Sequence, residues 1–312
     1  MNFDITILGC GAATPTKRHR PTAQVVSIRD HLFLLDCGEG TQMQLRELGI
    51  KMQRISHILI SHLHGDHFYG LIGLLSTYAL LGRTKDLILI APKELEAWLD
   101  HTLKISASYL TFPLHFVPIP EKGSGIVWEN EWLSIHSIPL KHRIQCSGFL
   151  FQEKPHERKL IKSFVSELSI GIEESIALKK NQIIHRSNGE IIDPALVCEP
   201  PFGQRSYFFC TDTLPLSFDY SPLQNIDLLY HESTFLQEHL ARAKTTFHST
   251  AQQAALVAKS LNAGELILGH FSARYPHLDD FGVEAKSVFE KTSLAEEGKT
   301  WSIPLRLGKK GM

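Results

Sequence analysis

The run His62-Leu63-His64-Gly65-Asp66-His67 gathers three imidazoles and one carboxylate within six consecutive residues. It follows an apolar stretch and precedes a helical pattern. His62 and His64, two apart on an extended loop, point the same way, and Asp66 and His67 turn back at the start of the next helix. Neutral imidazole and carboxylate are the donors that zinc favours and that manganese or iron tolerates. Donors this crowded point to two ions, because one loop cannot wrap a single ion from both sides. The remaining donors must come from other strand ends, where His142 follows SIPLK, Asp212 follows YFFCT and His270 follows LILG. An aspartate set between two ions can bridge them. A pair about 3.5–4 Å apart activates water and clamps a phosphoryl or carbonyl oxygen. A single structural zinc is the plainer alternative, and a lone strand-end histidine is more often structural.

Other motifs carry less chemistry. Gly9-Cys10-Gly11 has neither GxGxxG nor GK[ST] around it and reads as a tight turn. Ser233 and Ser249 lack the GxSxG elbow of a nucleophilic serine. Five cysteines, an odd count without CxxC pairing, read as free thiols in a reducing cytosol, with Cys37 a small buried filler.

The elements that must hold these donors alternate along the chain. Apolar runs of strand length at Asp4–Leu8, His31–Leu35, His57–Ser61, Leu133–Ile138, Tyr207–Thr211, Leu228–Tyr230 and Glu265–Leu268 each stop at a polar residue. Helical patterns predict helices over Glu39–Leu48, Phe68–Leu81, Glu94–Lys104 and His248–Ala263. Gly49, Gly82 and Gly264 stand at their ends, and Ser249 with Gln252 reads as a capping box. Such interleaving predicts an α/β layered domain with its ligands at converging strand ends. From Gln152 to Pro201 the chain turns charged and irregular, which reads as an insertion projecting from a single domain over 1–312. At 312 residues, 43% hydrophobic and 21% charged, the chain is globular. A net charge of −1 excludes a global nucleic-acid signal but not a local basic patch. No signal peptide is visible, and Leu71–Leu81 is too short and interrupted to span a bilayer, so no membrane association is expected.

SHLHGDH resembles the signature of the metallo-β-lactamase superfamily, and more narrowly the chain resembles tRNase Z (ribonuclease Z), from Ile5 to Tyr275. The narrower likeness rests on Gly9-Cys10-Gly11 with Pro15-Thr16 and Arg20-Pro21-Thr22, on the Leu35–Gln42 block, and on Gly65–Leu71. HESTF from His231, His248-Ser249-Thr250 and GHFSARY from Gly269 follow in the family's order.

The resemblance implies a four-layer αββα sandwich and a zinc-dependent endoribonuclease, with manganese or iron also admitted. Its substrate would be precursor tRNA, cut to leave a 3′-hydroxyl on the tRNA and a 5′-phosphate on the trailer. One ion would fall to His62, His64 and His142, and the other to Asp66, His67 and His270, with Asp212 bridging. Asp66 would double as general base, His248 would protonate the leaving ribose oxygen, and Glu232 would orient His248. The family also implies a homodimer and an arm gripping the elbow of tRNA. Gln152–Pro201 occupies that place, with Arg158, Lys159 and Lys162 as candidate phosphate contacts, although Gly171–Ser175 stands where a Gly-Pro-rich tip is usual. The rivals are a small-molecule or cyclic-nucleotide phosphodiesterase on the same fold and a catalytically silent RNA-binding scaffold. Arg274 and Tyr275 are further candidates for RNA contact.

Overall fold

The apolar runs assemble into two seven-stranded sheets in a computed structural model that describes residues 1–216 and 221–307. The first sheet runs in the order Thr300–Ser302, Phe3–Gly9, Ala23–Ile28, His31–Leu35, Ile55–Leu59, Leu87–Ala91, Leu114–Pro118. Its pairings are antiparallel as far as His31–Leu35 and parallel from there onward. The second sheet runs Thr292–Leu294, Glu265–Gly269, Leu228–Glu232, Ser206–Cys210, Cys146–Glu153, Leu133–Leu140, Gly125–Glu129, and its first four strands are parallel.

The strand Leu87–Ala91 carries no polar side chain because both of its faces are covered. On the outer face of the first sheet, Leu34, Ile58 and Leu89 pack with Leu71, Leu74, Leu75 and Tyr78 of the helix Leu71–Leu80 and with Leu95 and Leu99 of Glu94–Ile105. Helices Ala251–Ser260 and Asp279–Lys286 lie on the second sheet. The inner faces meet each other, with Phe33 edge-on to Phe151 at 5.3 Å and the Tyr207 hydroxyl donating to the buried amide oxygen of Gln24. The layers are therefore αββα, as expected. All five cysteines are free and buried. No helix among the described residues is long and apolar enough to cross a membrane.

The expected elements form with ends shifted by a few residues. Gly49 and Gly82 close their helices with φ of 67° and 70°. At the end of Ala251–Ser260 it is Asn262, φ 50°, that takes this conformation. Gly264 serves a different purpose, since a Cβ there would lie 2.6 Å from the Asp227 carbonyl oxygen. The capping box of that helix is Thr250 with Gln253, one residue beyond the expected pair, because Ser249 Oγ is committed to the Thr213 carbonyl.

The expected helix Phe68–Leu81 splits into Gly65–Phe68 and Leu71–Leu80, with Gly70 between them. A Cβ on Gly70 would sit 2.1 Å from the Gly38 carbonyl oxygen, so this joint brings the Asp36 loop onto the histidine loop.

Residues Gln152–Arg205, with Glu129–Ser134 and residues 304–307, form a separate compact unit. It is not irregular. It contains helices Lys162–Glu167 and Ile172–Lys179 and two short strand pairs around Ile170, Leu178, Ile192, Val197 and Cys198. The apolar residues are spaced singly between charges, which hid this small core from a reading by runs. Gly171 opens the second helix and its N–H is taken by Glu174 Oε2 at 3.1 Å. Arg205 and Glu153 form a buried pair at 2.7 Å.

Gly70→Ala is expected to destabilise the protein by about 1–3 kcal/mol through overpacking. A thermal melt within error of the wild type would show that the Gly38–Gly70 approach is not tight.

Candidate metal centre

Every donor named above stands just beyond the C-terminal end of a strand. The loop after Ile55–Leu59 carries His62, His64, Asp66 and His67, while Leu133–Leu140, Ser206–Cys210 and Glu265–Gly269 deliver His142, Asp212 and His270. The fold brings them together as two groups. In one, His64 Nδ1 lies 3.1 Å from His62 Nε2 and 3.2 Å from His142 Nε2. In the other, Asp66 Oδ2 lies 3.5 Å from both His67 Nε2 and His270 Nε2. Asp212 reaches both groups. Its Oδ2 is 3.6 Å from His62 and His142, and its Oδ1 is 3.5 Å from His67 and 3.2 Å from His270.

The outward hydrogen bonds settle which ring nitrogens are bare. His142 Nδ1 donates to the Phe247 carbonyl at 3.0 Å. Ser61 Oγ donates to Asp36 Oδ2 at 2.9 Å and so receives the proton of His62 Nδ1 at 3.0 Å. His67 Nδ1 donates to the other side of the same carboxylate oxygen at 2.6 Å. Thr234 Oγ1 donates to Glu232 at 2.8 Å and accepts from His270 Nδ1 at 2.9 Å. The Nε2 atoms of these rings are left as lone pairs facing inward, and those of His67 and His270 are buried without a hydrogen-bond partner. Bare nitrogens and two carboxylates facing one another are stable only around positive charge, so both groups are compatible with a metal site.

Asp36, Thr234 and Phe247 are the residues that reading the sequence missed. Asp36, fully buried and held at φ 54°, anchors one ring of each group. Its position after an apolar strand, in the Leu35–Gln42 block, was the available signal. Phe247 turns left-handed at φ 61° to end helix Leu240–Thr246 and aim its carbonyl at His142. Nothing in a lone phenylalanine announces that.

Electrostatics follow from these contacts. Burial would raise Asp66 and Asp212, but His67 and His270 hold both carboxyls well below the usual carboxylate range. Burial lowers His62, with His67 adding to the effect, and it lowers His142, so both are neutral. Against its own burial, His67 is raised by Asp66, Asp212 and Asp36.

His248 Nδ1 lies 3.1 Å from Glu232 Oε1. Burial opposes its charge, yet Glu232 and Asp212 raise it to about 9. Glu232 is fully buried and accepts from the N–H groups of Thr213, Thr234 and Ser249 as well, so it fixes three loops and the ring together. The donors open onto a cleft of about 560 Å³ whose walls include Ala13, Tyr69, Phe235 and Arg274. The Arg274 guanidinium lies 5.1 Å over the Phe235 ring and is exposed. Tyr275 is buried and its hydroxyl accepts from Leu236 N–H, which makes it a packing residue.

Fold and site together define a hydrolase-type metallo-β-lactamase-fold protein. The fold matches the metallo-β-lactamase-fold protein YhfI of Bacillus subtilis, 18% identical, with a TM-score of 0.67 over 97% of this chain and 100% of that one. The crystal structure of the short form of human tRNase Z is 27% identical, with a TM-score of 0.69 over 96% of this chain and 99% of that one. Ribonuclease Z of Parabacteroides distasonis is 42% identical over 97% of this chain and 99% of its own length. That of Cytophaga hutchinsonii is 43% identical over 98% of each. A family model described as anti-Pycsar protein Apyc1 matches residues 3–154, a span that stops before Asp212, His248 and His270. The chain belongs to the ribonuclease Z family.

Thr234→Val keeps the shape of the side chain and deletes the hydroxyl that holds His270 Nδ1. Chelator competition is expected to show metal affinity reduced about 10-fold or more. An unchanged affinity would mean that Thr234 does not orient the ring.

Proposed function

We propose that this chain is a zinc-dependent tRNA 3′-processing endoribonuclease that removes the 3′ trailer from precursor tRNA. The observation that carries the reading is the pair of donor groups shared by Asp212, within a chain related to ribonuclease Z from end to end. A phosphodiesterase for small or cyclic esters is not favoured, because the relatives at 40% identity or more over nearly the whole chain are named ribonuclease Z. The protein acts in the cytoplasm as a homodimer.

His62, His64 and His142 would hold one zinc, and Asp66, His67 and His270 the other, with Asp212 between them. Manganese or iron suits the same donors. Bound there, such ions lower the pKa of water and neutralise charge on phosphoryl oxygens. Asp66, kept ionised and anchored by the Ala13 N–H at 2.7 Å, orients the attacking water and takes its proton. The water oxygen bonds to phosphorus as the bond to the ribose O3′ breaks. His248, charged at neutral pH and steered by Glu232, gives its proton to that leaving oxygen. The products are a 3′-hydroxyl on the tRNA and a 5′-phosphate on the trailer.

Gln152–Pro201 serves as the substrate-binding arm. Of its candidate contacts, Lys162 is exposed at the start of helix Lys162–Glu167. Lys159 is exposed with Glu199 3.4 Å away, and Arg158 Nε donates to Asn181 at 2.7 Å.

Metal-loaded protein is expected to cut an end-labelled precursor tRNA once, at the end of the acceptor stem, and Asp212→Ala is expected to abolish the cut. An intact precursor alongside hydrolysis of a small activated diester would move the protein to the phosphodiesterase reading. Joint replacement of Arg158, Lys159 and Lys162 by alanine is expected to weaken tRNA binding and lower its salt slope by as much as about two to three. An unchanged slope would remove the arm from the RNA contact.

A further inference from the structure

Arg143 and Arg242 line the cleft, are exposed, and have no ion pair among the described residues. Most other arginines are committed within the protein. Arg20 is paired with Glu47 and Glu297, Arg186 with Glu174 and Glu190, and Arg205 with Glu153. Arg83 is spent on backbone carbonyls. In a chain of net charge −1, unpaired guanidinium groups at the reaction cleft are a local exception.

Their position is as informative as their charge. Arg242 and Thr246 stand one turn apart on helix Leu240–Thr246 and both face the cleft. That helix ends at Phe247, whose carbonyl is held by His142, and the next residue is His248. Arg143 directly follows His142, and the rings of His142 and His248 are 5.2 Å apart. Both arginines therefore belong to the His248 end. Asp66 and Glu39 also line the cleft and are brought together where Gly38 packs against the Asp66 backbone. Arg143 and Arg242 thus stand beside the proton donor, while the third cleft arginine, Arg274, is engaged by the Phe235 ring and Ser272 Oγ.

We propose that Arg143 and Arg242 bind backbone phosphates on the tRNA side of the scissile bond, which fixes the direction in which the RNA strand crosses the cleft. This rests on the reading above, in which His248 protonates O3′, because O3′ belongs to the tRNA and not to the trailer. The acceptor 3′ end lies along His142, His248 and the two arginines. The trailer leaves past Glu39, whose carboxylate repels it and hastens release. Guanidinium is suited to this task, since its fork accepts a phosphate bidentately.

The test compares wild type with the Arg143→Ala/Arg242→Ala double variant. Two quantities are measured over a range of salt concentrations: the Kd for mature tRNA ending in a 3′-hydroxyl, and the KM for precursors with trailers of different lengths. Mature tRNA is expected to bind at least about 10-fold more weakly. KM is expected to rise by a similar factor at every trailer length, and the log–log salt slope to fall by about 1.4, roughly 0.7 for each single-strand phosphate lost. Arg143→Lys/Arg242→Lys should restore most of the slope, and Arg46→Ala, an exposed arginine outside the cleft wall, should leave it unchanged. Unchanged affinity for mature tRNA overturns the proposal. So does a KM effect that grows with trailer length, which would assign the arginines to the trailer. If wild type failed to cut any precursor, the parent reading would fall, while binding of mature tRNA would still judge the arginines.

Discussion

Asp212 offers one carboxylate oxygen to each of two imidazole groups, and the rest of the structure is arranged so that it can. It is almost wholly buried among histidines whose inward nitrogens are lone pairs. Lone pairs and carboxylates confined in one place repel unless positive charge lies among them, so every ring must be held against its own preference. The outward nitrogens provide the grip. Asp36 holds His67 directly and His62 through Ser61, Thr234 holds His270, and the Phe247 carbonyl holds His142.

These anchors come from both sheets, which explains why the site lies where the strands of both sheets end. Asp36 follows a strand of the first sheet, while Glu232 ends a strand of the second. Neither can move without turning a ring. Gly38 and Gly70 let two of these loops touch at the backbone, where any side chain would force them apart. Glu232 gathers N–H groups from the loops at Thr213, Thr234 and Ser249, and its charge keeps His248 protonated. A residue that reads as a partner of one histidine is therefore a junction for much of the cleft floor.

Charge is distributed by the same economy of place. The near-neutral total conceals arginines paired within each compact unit and a cleft whose arginines are not paired. A protein of this composition can attract an anionic polymer only where its basic groups are unopposed.

The donor set and the layered fold were legible in the sequence because both are local in character. HLHGDH places four donors on one turn, and each strand announces itself as a short apolar run ending in a polar residue. His142, Asp212 and His270 could be picked out because they stand at such ends, but their grouping could not be read from spacing alone. The anchoring residues stayed hidden because their partners are remote. The His142–Phe247 bond spans 105 residues and uses a backbone carbonyl that every residue possesses. The small core between Gln152 and Arg205 was hidden for a related reason, since its apolar residues never form a run and meet only after two short helices fold back. The sequence by itself determined which atoms are available for the chemistry. Only the tertiary structure decided which nitrogen of each ring is bare and which arginines stay unpaired, because both depend on contacts between segments that chain order does not place side by side.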